Sequence, residues 1–179
     1  MPRRYEAMPN YDWDDNEFPI AYFITFRTHG TWLHGDERGS VDRHGRNLYG
    51  QNFISLDPHF SVKMERNMTS APFTLNAPQR GRVESAIRNV CEVRKYNLFA
   101  INVRTNHAHV VAFASAPPRT VMNAFKANAT RELREGNLVD TQAKICARGG
   151  STRYLWKPQH LEAAVEYTVN GQGGPLPEF

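Results

Sequence analysis

Residues 98–114 read LFAINVRTNHAHVVAFA, two apolar runs parted by Thr105 and Asn106, and their reading decides the fold. Runs rich in β-branched and aromatic residues with a two-residue connection suit a tight antiparallel hairpin. Pro117 and Pro118 close the second run, because proline has no N–H to give to a ladder. On the N-terminal side, residues 77–96 carry Val83, Ile87, Val90 and Cys91 at three- and four-residue steps, the pattern of a helix with one apolar face. On the C-terminal side, residues 120–135 do the same with Val121, Met122, Phe125, Ala129 and Leu133. Beyond these helices, IAYFITFRT (20–28) and STRYLW (151–156) each read as a strand, the latter after the Gly149 and Gly150 break. Pro158 suits the first turn of a last helix, which Gly171 ends.

The order is therefore strand, helix, strand, strand, helix, strand, helix. This is an α+β chain of the ferredoxin-like, split-βαβ plan: an antiparallel sheet with two helices on one face and an added C-terminal helix. The other face is left for a ligand or for that last helix. Between 29 and 76 lies a long loop insertion, dense in Gly, His, Arg and Asp and without sustained period, and a loop of that length inside a domain is usually functional or disordered. Residues 1–19 read as an irregular acidic arm, 20–174 as one domain, and 175–179 as a tail.

With 179 residues, 40% of them hydrophobic, the chain can build one core of ordinary size. No run approaches the ~18 apolar residues of a membrane span, and no apolar stretch follows Arg3 and Arg4, so no membrane association and a cytoplasmic location are expected. Cys91 and Cys146 are too few for a disulfide framework or a cysteine-rich zinc site and read as reduced, packed thiols. The net charge of +4 leans toward a polyanionic partner, and basic residues outnumber acids between Arg119 and Lys157.

Side chains alternate across a strand, so His107 and His109 point to one face, about 7 Å apart along the chain. Ala108 and Val110 then enter the helix-covered core, and the histidines stand on the uncovered side. Two neutral imidazoles there can share a divalent metal. An isolated His-x-His also reads as a chance pair on a half-exposed strand. Val111 stands where a histidine-triad hydrolase needs its third histidine, and no His-Glu-x-x-His zinc motif occurs.

Along residues 157–170, Leu161, Ala164, Val165, Thr168 and Val169 share one arc, and Tyr167 lies on its flank. A boundary tyrosine often buries its ring and wets its hydroxyl. A phenol of pKa near 10 becomes a useful nucleophile only against a target already polarised, which a metal on the histidine pair would supply.

Taken together, Asn-His-Ala-His-Val-Val at 106–111, Lys126, Arg-Tyr-Leu-Trp at 153–156 and Glu-Tyr-Thr-Val-Asn-Gly-Gln-Gly at 166–173 resemble the single-tyrosine HUH transposases, most of all the REP-associated tyrosine transposases. The likeness spans roughly residues 20–174. It implies a metal-dependent enzyme that nicks and rejoins single-stranded, hairpin-forming DNA, with His107, His109 and an amide side chain holding Mg²⁺ or Mn²⁺. Tyr167 is then the nucleophile that forms a covalent 5′-phosphotyrosine. The family's amide lies four residues after the tyrosine, where this chain has Gly171, so Gln172 is the first choice of third ligand and Asn170 the second. Lys126, Arg131, Arg134 and Arg153 are candidates for phosphate contacts, each of which also reads as a solvated surface charge. Trp32, Arg38, Arg43 and Arg46 in the long loop are candidates to stack and clamp unpaired bases. DNA is the expected partner, with the tyrosine acting within its own chain or across a homodimer. A non-catalytic ferredoxin-like module that binds single-stranded nucleic acid on its open sheet face is the rival reading.

Overall fold

The computed structural model describes residues 18–31 and 71–176. The acidic arm as far as residue 17, most of the 29–76 insertion and the last three residues of the tail lie outside the described residues. Seven elements follow in order: β1 (Ala21–Arg27), α1 (Ala77–Val93), β2 (Asn97–Val103), β3 (His107–Phe113), α2 (Pro118–Glu135), β4 (Ser151–Leu155) and α3 (Pro158–Asn170). The strands form one sheet in the order β2-β3-β1-β4, with every neighbouring pair antiparallel. This is the expected ferredoxin-like α+β arrangement.

Local chemistry sets the element ends. Asn76 opens α1: its Oδ1 accepts from the Gln79 N–H at 3.0 Å while the Asn76 N–H donates to Gln79 Oε1 at 2.9 Å, so two donors at the helix start are satisfied reciprocally. Proline stands in the first turn of all three helices, where its missing N–H costs nothing. The β2–β3 hairpin is closed by the Arg104 N–H donating to the His107 carbonyl at 2.8 Å, leaving Thr105 and Asn106 as the turn.

The main core lies between the sheet and the pair α1 and α2. Ile24, Phe26, Ala108, Val110 and Ala112 from the sheet meet Val83, Ile87 and Val90 of α1 and Val121, Phe125 and Leu133 of α2. Each large side chain so buried contributes roughly 1.5–3 kcal/mol. Cys91 belongs to this core as a free thiol, and burial pushes it up to about 11.

On the opposite face, Leu161 and Ala164 of α3 pack on Ala21, Ala100, Val111 and Leu155. Asn102 Nδ2 donates to the Thr168 carbonyl at 2.9 Å, and the fully buried Thr168 hydroxyl donates to the Ala164 carbonyl at 2.7 Å. The last helix thus takes part of the face left for it or for a ligand, and the histidines stand beside its C-terminal half. Val169, expected on the buried arc, is 56% exposed. Each residue turns about 100° round the helix, so the seam set by Leu161, Ala164 and Thr168 leaves Val169 facing out. Among the described residues no helix is long and apolar enough to cross a membrane.

Candidate functional site

Strand register builds the site. His109 lies opposite Thr25 of β1 on one side and Asn102 of β2 on the other, and His107 lies opposite Arg27. The two imidazole rings stand 4.7 Å apart at 73°. His109 stacks on Phe23 at 5.3 Å and meets the Tyr167 ring edge-on at 5.6 Å, while Phe23 and Tyr167 are 6.0 Å apart. Tyr167 precedes the buried Thr168, so its ring is held against these neighbours while 48% of the residue stays exposed. Tyrosine and histidines of one chain therefore share one small volume.

The third expected partner is there too. The Gln172 Oε1 is 3.2 Å from His107 Nε2, and its Nε2 donates to the Tyr167 carbonyl at 2.9 Å. The chain can reach back because α3 stops at Asn170. The Gly171 N–H also donates to the Tyr167 carbonyl at 3.0 Å, and a Cβ on Gly171 would lie 2.8 Å from both that oxygen and the tyrosine ring. Only glycine fits this close return, and the Gln172 amide follows it directly. Arg104 Nη2 donates to the Gly174 carbonyl at 3.0 Å, tying the same segment to the hairpin. Asn170, the other amide considered, donates instead to Glu166 Oε1 at 2.8 Å.

His109 is only 7% exposed. Burial first, and then the nearby His107 and Arg27, disfavour its charged form and outweigh the opposing bond to Gln172, lowering its pKa to about 4. At neutral pH it is a neutral imidazole, the form in which a ring nitrogen can ligate a cation. Among the described residues no three His, Cys, Asp or Glu side chains come together. The donors that converge are two imidazoles and an amide oxygen.

The four basic candidates part company. Arg153 pairs with Phe23 across β1 and β4 and so faces the histidine side, exposed. Lys126, Arg131 and Arg134 are on α2, which packs on the other face of the sheet. Lys126 Nζ, read from sequence as a phosphate-contact candidate or a solvated charge, donates to the Ala147 and Gly149 carbonyls at 2.6 and 2.7 Å and so tethers the approach to β4. Arg131 donates to Asn128 Oδ1 at 2.7 Å and lies 3.9 and 3.8 Å from the Glu132 and Glu135 carboxylates. Arg134 donates to the Ala143 carbonyl at 3.3 Å. Trp32, Arg38, Arg43 and Arg46 lie outside the described residues.

Phe23, Thr25 and Asn106 belong to the site without having been singled out from the sequence. Thr25 Oγ1 is 2.8 Å from His109 Nδ1, and Asn106 Oδ1 is 2.7 Å from His107 Nδ1. The signal for Phe23 and Thr25 was their alternation with core-facing Tyr22, Ile24 and Phe26, and it becomes specific only once β1 is set beside β3.

No family model matches this chain, and no curated protein matches it. Among solved structures it is similar to that of a REP-associated tyrosine transposase bound to a REP hairpin, with a TM-score of 0.44 and 11% identity over 86% of this chain and 68% of that one. At that level of likeness the chemistry has to be argued from this chain's own side chains.

Proposed function

We propose that the chain is a metal-dependent single-stranded DNA nuclease and strand transferase, transposase-like, acting on hairpin-forming, REP-like DNA through a covalent 5′-phosphotyrosine. The observation that carries this reading is the approach of Gln172 Oε1 to His107 Nε2 beside the His109 and Tyr167 rings. With Nδ1 protonated, that Nε2 and the amide oxygen present lone pairs to each other, and a shared cation makes the contact favourable. Their 3.2 Å separation matches the roughly 3 Å between adjacent ligands of an octahedral ion with bonds of about 2.1 Å. The donor set suits Mn²⁺ and, with waters completing the shell, Mg²⁺.

Bound there, the ion would act as a Lewis acid on the scissile phosphate. His107, His109 and Gln172 hold the site, and Arg153 is the cation assigned to the entering strand's phosphates. Phe23 and His109 hold the Tyr167 ring, and its hydroxyl is assigned the in-line attack. The phenol passes its proton to solvent, the new Tyr–O–P bond forms to the phosphate on the 5′ side, and the P–O3′ bond breaks, the departing oxygen taking a proton from solvent to leave a 3′-hydroxyl. The phosphotyrosine keeps the bond energy for rejoining. Tyrosine and ligands come from one chain, so this chemistry needs no homodimer. The rival binding module requires a bare sheet face on which to stack bases, and α3 occupies part of it.

The test is a labelled pool of hairpin oligonucleotides with single-stranded flanks, incubated with the full chain and MnCl₂ or MgCl₂ and run on a denaturing gel. A protein-linked band is expected with either metal, absent with chelator and absent in Tyr167→Phe. Binding indifferent to metal, with no nicked or linked product, would establish the passive module instead.

A further inference from the structure

A histidine ligates a metal only with a bare ring nitrogen, and each neutral imidazole has two places for its single proton. In this site both rings have a polar side chain on the same atom. Asn106 Oδ1 is 2.7 Å from His107 Nδ1, and Thr25 Oγ1 is 2.8 Å from His109 Nδ1. An amide oxygen only accepts, so Asn106 draws the proton of a neutral His107 to Nδ1, and at 2.7 Å it outcompetes Gln172 Oε1, which stands 3.2 Å from Nε2 and would draw the same proton there. The Thr25 hydroxyl can accept in the same way. Both Nε2 atoms are then bare.

Each holding group is itself pinned. The Asn106 carbonyl accepts from the Thr28 N–H at 2.9 Å and from the Thr28 and Thr31 hydroxyls at 3.2 and 3.4 Å, so the residues just after β1 fix the turn from which the amide reaches the next residue's ring. Thr25 is opposite His109 in the central β1–β3 ladder, and Phe23, two residues along the same strand, stacks on that ring. A valine would serve that strand position equally well for shape and β-propensity.

We propose that Thr25 and Asn106 are the positioning residues that turn His107 and His109 into a metal-binding pair, by holding both rings in the Nδ1–H tautomer with Nε2 directed to the side of Gln172. The inference rests on the reading of these histidines as ligands. Partners of this kind, on the far side of a ligating imidazole, typically contribute 10- to 100-fold to metal affinity.

Two measurements on the full chain at pH 7.5, without DNA, test it. The first reads the histidine tautomers in the metal-free protein by ¹⁵N–¹H correlation spectra. Nδ1–H rings are expected at 107 and 109, with Thr25→Val releasing His109 to mixed tautomers and Asn106→Ala letting His107 pass to the Nε2–H form that faces Gln172. The second follows Mn²⁺ binding by electron paramagnetic resonance. Thr25→Val and Asn106→Ala should each weaken it about 10- to 100-fold, while Thr25→Ser, which keeps the hydroxyl, stays within about threefold of the unmodified chain. A loss shared by Thr25→Ser and Thr25→Val would mark a packing role and overturn the assignment for Thr25. Rings found protonated on Nε2, or variants that bind Mn²⁺ as tightly as the unmodified chain, overturn it for both. Because the tautomers are read without metal, a failure of Mn²⁺ to bind at all, which refutes the site reading and the positioning role with it, is distinguished from tautomers wrongly assigned.

Discussion

Strand β3 shows one side to α1 and α2 and the other to α3, and the two sides differ in chemistry. Ala108, Val110 and Ala112 enter an apolar core. Val111 joins the smaller cluster under α3, and His107 and His109, toward the other end of the strand, meet Thr25, Tyr167 and Gln172. On the first side the gain comes from removing apolar surface from water, which is non-directional and tolerant of detail. On the second, a few directional bonds hold rings and an amide around a common point, and small displacements matter. One strand can supply both because its side chains alternate. The larger apolar core and the histidine cluster thus lie on opposite faces of the sheet and are separable by mutation.

The sharpest test of that division pairs Tyr167→Phe with Phe125→Ala. The tyrosine variant should form no covalent DNA adduct, while its unfolding free energy in urea stays within about 0.5 kcal/mol of that of the unmodified chain. Phe125→Ala, in the main core, should lose about 3–5 kcal/mol. A Tyr167→Phe free energy that falls as far would break the comparison.

Next in size is Gly171→Ala, whose added Cβ would meet the Tyr167 carbonyl and ring at 2.8 Å. Overpacking here should cost about 1–3 kcal/mol and move Gln172 away from His107, weakening Mn²⁺ binding at least about tenfold. Calorimetric titration with MnCl₂ reads the second effect directly.

The histidine side also has a pH signature. Burial holds His109 down to about 4 in the folded chain against an ordinary value near 6.5, so unfolding takes up a proton between those values. Stability from this source is complete above 6.5 and is lost as the pH falls toward 4. Urea midpoints at pH 7, 5.5 and 4.5 should show this loss in the unmodified chain, with a shallower fall in His109→Asn.

The smallest effect separates the basic residues. Arg153→Ala should weaken binding of a single-stranded oligonucleotide about 3- to 10-fold and flatten its salt dependence, whereas Arg134→Ala, behind the sheet, should do less. Fluorescence anisotropy at two salt concentrations checks this. Equal losses would place DNA on both faces.

Much of this was legible in sequence because elements end where chemistry forces them to. Pro117 and Pro118 separate β3 from α2, Gly149 and Gly150 precede β4, and Gly171 stops α3. Periodicity marked Val83, Ile87, Phe125 and Leu133 as core, and all are buried. The same reasoning placed both histidines on one face and put Tyr167 on the flank of its helix. It did not find Thr25 or Phe23 as neighbours of His109, since period identifies a face but not the residue across the ladder. Nor did it reveal that Lys126 is spent on the Ala147 and Gly149 carbonyls, because backbone acceptors leave no trace in composition.

By itself, then, the amino-acid order determined the elements, their sequence along the chain and the faces on which His107, His109 and Tyr167 lie, since turns, caps and alternation are local properties. The tertiary structure decided what those faces meet: α3 laid over part of the sheet, Gln172 rather than Asn170 turned back beside His107, and Thr25 set against His109. Such partners depend on strand register and helix docking between residues far apart in the chain, and these are chosen by the packing of the whole molecule.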